Sequence, residues 1–121
     1  MKHGVGTLSF VDNSYYTGQF AENEIQGKGV YKWNDGRVYE GMWNASKMHG
    51  LGKLTWPDGR YYEGEYVDDQ KEGRGVFVWA DGRKYDGLWK GGKQHGRGQY
   101  TSEGKTQTGE WNDGKRINWI Q

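Results

Sequence analysis

The chain has no cysteine, a single proline (Pro57) and no long apolar run. Without cysteine it forms neither a disulfide nor a thiolate metal site. No segment approaches the roughly 20 apolar residues of a membrane-spanning helix, and no signal-peptide pattern opens the sequence. Aliphatic side chains are scarce: 32% of the residues are hydrophobic, and the aromatic residues, 16% of the chain, make up half of these. That is too little for a thick two-layer core. Charge of one sign is lacking as well. The 17 basic and 16 acidic residues leave a net charge of +1 and are spread along the chain, which excludes the basic stripe of a nucleic-acid binder. The expectation from these absences is a soluble, cytoplasmic protein with a thin core.

What is present is glycine and aromatic rings: 22 Gly, 7 Trp, 9 Tyr and 3 Phe. So many rings argue against disorder. Gly4, Gly27, Gly50, Gly73 and Gly96 recur every 23 residues, and Gly6, Gly29, Gly52, Gly75 and Gly98 follow two positions later. Gly18, Gly41, Gly64, Gly87 and Gly109 keep the same step until the last interval, which is 22. A fixed short period running end to end marks a repeat array. The copies span about residues 3–25, 26–48, 49–71, 72–94 and 95–117, followed by a short cap at 117–121.

The third copy shows the local logic. Gly50 to Trp56 and Tyr61 to Tyr66 are two runs rich in aromatic and strand-forming residues around Pro57-Asp58-Gly59-Arg60, a pattern that predicts a β-hairpin. Pro57 presets φ at the turn, and Gly59 supplies the positive φ. Asn34-Asp35-Gly36, Ala80-Asp81-Gly82 and Ser102-Glu103-Gly104 occupy the same place, while Asn13 replaces the turn glycine in the first copy. Asn is the next-best residue for that backbone region. About four glycines per copy, at roughly 1 kcal/mol each, rule out a helix. The segment from Val67 to Lys71 reads as a polar loop.

Strand alternation then sorts the faces. Gly52, Leu54 and Trp56 share a side, as do Tyr62, Gly64 and Tyr66. The equivalent rings in other copies, among them Tyr16, Tyr31, Trp33, Tyr39, Trp43, Phe77, Trp79, Tyr85, Trp89 and Trp111, extend one aromatic strip. Bare backbone at Gly27, Gly29, Gly41, Gly50, Gly52, Gly64, Gly73, Gly75 and Gly87 lets those rings lie across neighbouring strands; uncovered, such glycines would weaken a sheet. With two strands per copy at about 4.8 Å, five copies span about 50 Å. The last copy lacks the turn tryptophan and carries Gln107 in place of tyrosine. Its apolar tail, Ile117 to Ile120, is expected to fold over the final edge strand, and a homodimer through this end is a further expectation.

Local motifs that suggest chemistry dissolve in the repeat. His3, His49 and His95 share one repeat position in alternate copies and are too far apart to hold one metal. Gly27-Lys28-Gly29 and Gly73-Arg74-Gly75 open no helix and extend to no phosphate-binding loop. Asp35, Asp58 and Asp81 sit where turns favour Asp. No catalytic, cofactor or metal residue is therefore expected. The aromatic strip is the candidate surface, since a large exposed apolar patch marks an interaction site. Its expected anchors are Trp33, Tyr39, Trp56, Tyr62, Trp79 and Tyr85, lining a groove for an extended peptide or an amphipathic helix. A second candidate is the basic ladder Arg37, Arg60, Arg83 and Lys105, which could meet anionic lipid headgroups. Asp35, Asp58, Asp81 and Glu103 lie two residues earlier and are expected to neutralise it.

Tyr39-Glu40-Gly41-Met42-Trp43, Tyr62-Glu63-Gly64-Glu65-Tyr66 and Tyr85-Asp86-Gly87-Leu88-Trp89, each followed by a loop and Gly-x-Gly, resemble MORN repeats. The resemblance runs from His3 to about Lys115 and departs at Thr17 and in the decayed fifth copy. It implies an all-β fold, a single-layer, elongated, twisted antiparallel sheet of tandem hairpins. It further implies a non-catalytic scaffold that binds a protein partner near the cytoskeleton or a membrane. The alternatives it leaves are a peripheral module for anionic phospholipids, including phosphoinositides, and a targeting segment of a larger enzyme such as a lipid kinase.

Overall fold

The computed structural model describes residues 4–120. His3 and Gln121 lie outside them. Eleven strands form one antiparallel sheet in chain order: β1 (Gly4–Ser9), β2 (Tyr15–Ala21), β3 (Glu24–Lys32), β4 (Val38–Asn44), β5 (Lys47–Thr55), β6 (Tyr61–Val67), β7 (Gln70–Val78), β8 (Lys84–Lys90), β9 (Lys93–Ser102), β10 (Lys105–Asn112) and β11 (Lys115–Ile120). The sheet is open, and the described residues contain no helix. The expected all-β, single-layer array of hairpins is what the chain adopts.

Two kinds of turn alternate along its rims. On one rim, each of the first four copies closes a three-residue turn between flanking residues. Trp56 N donates to Arg60 O at 2.9 Å, and Gly59 N donates to Trp56 O at 3.1 Å. Gly59 has φ +96°, and Asn13 holds the equivalent place at φ +72°. The fifth turn is shorter. Only Glu103 and Gly104 separate β9 from β10, both with positive φ, which accounts for the missing residue in the last interval.

The opposite rim corrects the sequence reading. Val67 to Lys71 is not a loop: β6 runs through Val67, Asp68 and Asp69 make the whole turn, and β7 begins at Gln70. Glu22-Asn23, Ala45-Ser46, Gly91-Gly92 and Asp113-Gly114 do the same, every residue at positive φ. Two-residue turns of this hand match the twist of the strands they join. Adjacent turns are tied together: Ser46 N donates to Ile25 O at 2.9 Å, Asp69 N to Met48 O at 3.0 Å and Gly92 N to Lys71 O at 3.0 Å. The tail is a second correction. It does not fold over the edge but adds β11 beside β10, pairing Gly109 with Trp119.

A continuous row of glycines crosses the sheet. Gly6, Gly18, Gly29, Gly41, Gly52, Gly64, Gly75, Gly87, Gly98 and Gly109 are cross-strand partners, each of the next. Just beyond four of these pairs the register slips by two residues, at Gln19, Met42, Glu65 and Leu88. Such bulges bend the strand and leave a backbone group unpaired on that side. The tyrosines supply the missing donor. Tyr16, Tyr39, Tyr62 and Tyr85 hydroxyls donate to the Gln19, Met42, Glu65 and Leu88 carbonyls at 2.7–2.8 Å. Each ring lies over the glycine of the next strand. A Cβ on Gly52 would stand 2.2 Å from the Tyr39 hydroxyl oxygen and 2.5 Å from its ring.

These rings are the core. Phe20, Tyr16, Trp43, Tyr39, Tyr66, Tyr62, Trp89, Tyr85, Trp111 and Trp119 touch in that order, edge to face, with centroids 4.8–6.0 Å apart. Edge-to-face pairs contribute about 0.5–1.5 kcal/mol each beyond the area they bury. A core one ring thick is how so little aliphatic material holds eleven strands.

Burial pushes the phenols of Tyr39, Tyr62, Tyr66 and Tyr16 upward, and that of Tyr85 to about 12. A phenol raised on folding stabilises the fold at every pH below its unfolded value, and that contribution is lost as pH rises through the folded one. Above about pH 10 these five tyrosines therefore hold the sheet together only while un-ionised. Tyrosine absorbance during an alkaline titration is expected to rise in two stages, the second coinciding with loss of the β circular-dichroism signal. A single reversible step with an intact sheet would contradict this core.

Candidate functional site

The structure divides the six expected anchors into two sets. Tyr39, Tyr62 and Tyr85 are 0% exposed. They hold the bulges and cover the glycine row, so they are corrected from surface anchors to floor residues that shape the site from beneath. Trp33, Trp56 and Trp79 are only partly buried, packed against the core together with Tyr31, Phe77 and Tyr100. They stand at the ends of β3, β5 and β7, where each strand meets its three-residue turn. Tilted ring contacts join Tyr31 to Trp33 at 4.6 Å, Trp56 to Phe77 at 5.6 Å and Phe77 to Trp79 at 4.8 Å. The result is a closed aromatic floor flanked by a line of part-open rings.

The basic ladder is neutralised as expected on three of its four rungs. Arg37, Arg60 and Arg83 each place Nε 2.8 Å from the carboxylate of Asp35, Asp58 and Asp81. The same carboxylates accept the arginine backbone N–H at 3.0–3.1 Å, which holds all three below the usual carboxylate range. Each guanidinium also sits over its own tryptophan, 4.8 Å from the Trp33 ring, 5.1 Å from Trp56 and 5.3 Å from Trp79. An arginine so placed stiffens the indole beneath it. Lys105, behind the shortened turn, has no ion pair among the described residues.

One groove residue escaped the sequence reading. The position that pairs with the large ring near the second rim holds Ile25, Met48, Lys71, Gln94 and Arg116 in successive copies. Lys71 lays its ammonium 5.4 Å from the Tyr62 ring, 5.7 Å from Trp89 and 5.9 Å from Trp56. Burial pushes its pKa down. Its cross-strand partner is Tyr66, where the neighbouring copies have Trp43 and Trp89. Those indoles donate to the Gly29 and Gly75 carbonyls at 3.2 and 3.0 Å, whereas the buried Tyr66 hydroxyl has no partner among the described residues. Position 71 is legible only once the supposed loop is recognised as strand.

The opposite face offers less. Depressions of about 380 and 440 Å³ lie against the glycine row, one lined by Lys28, Glu40, Leu51, Lys53 and Glu63, the other by Arg74, Leu88, Arg97 and Thr108. Both signs of charge and isolated apolar residues mix there. His49 and His95 stand on β5 and β9, four strands or about 19 Å apart. No three metal-ligating side chains gather among the described residues.

The MORN-repeat family model matches residues 1–15, 16–36, 39–59, 62–82, 85–106 and 108–116. The chain belongs to the MORN-repeat family. No curated protein matches the chain. MORN repeats are typically non-catalytic modules with protein- or membrane-binding roles, and four of the six matched segments begin at a buried tyrosine, Tyr16, Tyr39, Tyr62 or Tyr85.

Proposed function

We propose that this MORN array is a non-catalytic protein-interaction module that receives a peptide or an amphipathic helix along its aromatic groove. The observation that carries the reading is the row Trp33, Trp56 and Trp79. These large rings stay part-open on a single-layer sheet, each braced by an arginine, over a floor of fully buried tyrosines. Rigid, half-exposed tryptophans are the residues that dominate binding energy at protein interfaces. The floor presets the groove's shape, so little ordering cost falls on binding.

The test is a selection of displayed random peptides of about 15 residues, long enough for four helical turns, on the intact chain. Binders are expected to lose about tenfold or more in affinity on Trp56→Ala and on Trp79→Ala, with melting temperatures lowered by only a few degrees. Binders indifferent to both substitutions would refute the groove reading. Liposome flotation separates the lipid alternative. With three of four ladder cations paired, binding to phosphoinositide vesicles is expected to vanish at physiological salt, and retained headgroup-selective binding would reverse the order of the two readings.

A further inference from the structure

Strand alternation puts charges on the aromatic face at Lys105 and Arg116, both in the last copy, and, further inside the array, at Lys71. The Lys71 ammonium is surrounded by the Tyr62, Trp56 and Trp89 rings and has no carboxylate within ion-pair distance among the described residues. β7 stands near the middle of the array, seventh of eleven strands. Copies on either side place Met48 and Gln94 at the same position, so the charge is not needed to build the repeat. A half-buried cation among rings gains cation–π attraction but lacks the counter-ion and hydration it would have in water. The third copy is also the one that exchanges a hydrogen-bonded indole for Tyr66, whose hydroxyl is buried and unpartnered. Both departures lie on one cross-strand pair, Tyr66 and Lys71.

We infer that the occupant of the groove is an acidic amphipathic segment, one whose apolar side chains seat on Trp33, Trp56 and Trp79 and whose central carboxylate pairs with Lys71. This rests on the groove reading above and adds its selectivity. Aromatic anchors fix where a segment lies, and a single desolvated charge decides which segment is accepted. A lysine or arginine brought to the same point would face a like charge in a poorly hydrated site, which is how one buried charge rejects the wrong partner.

The experiment reads the peptides enriched from the displayed library. The enriched set is expected to carry an Asp or Glu between apolar anchors, and replacing it by Lys should weaken binding by about tenfold or more. Lys71→Met, which copies the neighbouring Met48 and so keeps the fold, should bring the acidic and Lys-substituted peptides to within about twofold of each other. Lys71→Glu should invert the order. If Lys71→Met leaves the acidic preference in place, or if the peptides show none on the native chain, the inference is overturned. The groove reading survives that result so long as Trp56→Ala still abolishes binding. A library that yields no Trp56-dependent binder removes both.

Discussion

Gly41→Ala is expected to cost about 3 kcal/mol and lower the melting temperature by roughly 10 °C, whereas Gly6→Ala in the same cross-sheet row should change stability by less than about 1 kcal/mol. A Cβ on Gly41 would stand 2.4 Å from the Gly52 Cα and 2.7 Å from the Leu51 carbonyl oxygen. Both are backbone atoms of a paired strand and cannot move without breaking the ladder. The Tyr39 hydroxyl, 2.8 Å away, is fixed to the Met42 carbonyl. A Cβ on Gly6 meets only the edge of Phe20, at 3.6 Å, an ordinary contact. Gly59→Ala belongs between the two. Nothing lies within 4 Å of its Cβ, but φ is +96°, and a left-handed backbone costs a residue with a Cβ about 1–2 kcal/mol. Thermal or urea melts of the three variants check the ranking. Equal losses at Gly6 and Gly41 would mean that composition, not close approach, explains the row.

Tyr62→Ala should cost about 3–5 kcal/mol, the range for removing a fully buried ring, while Tyr62→Phe should cost about 1 kcal/mol. The ring is 0% exposed and touches Tyr66 and Trp89 edge to face at 5.1 and 5.4 Å. Its hydroxyl donates to the Glu65 carbonyl at 2.8 Å. Phenylalanine keeps the packing and forfeits that bond; alanine loses both and uncovers Gly75, over which the ring lies. In a repeat array each layer is supported only by its neighbours. The alanine variant should therefore let hydrogen exchange rise on β5 through β8 before the flanking strands. A loss confined to about 1 kcal/mol for alanine would show that the ring is not core.

The period, the rim carrying Pro57-Asp58-Gly59 and the left-handed Asn13 were legible because glycine, proline and asparagine report backbone angles directly. The aromatic face was legible from alternation. The other rim was not. Ala45-Ser46 and Asp68-Asp69 adopt positive φ without a glycine to signal it, so a tight turn looked like a polar loop and Lys71 was assigned to no face. The division of the ring strip was hidden for a different reason. Tyr39 and Trp56 are both aromatic and both point to the same side, and only the bulge at Met42 and the glycine beneath determine that Tyr39 is covered while Trp56 stays part-open. The tail strand β11 was hidden because its exposed Ile117 breaks the alternation that would have announced it.

The central claim is that the open tryptophans, rather than the outer face, receive the partner. The seven indole N–H signals of isotope-labelled protein, followed by NMR while a library-selected peptide is added, test it most directly. The account predicts shifts for Trp33, Trp56 and Trp79, with Trp43 and Trp89, tied to the Gly29 and Gly75 carbonyls, nearly still. Silent groove indoles with shifts instead at Met42, Leu51 and Leu88 would contradict it.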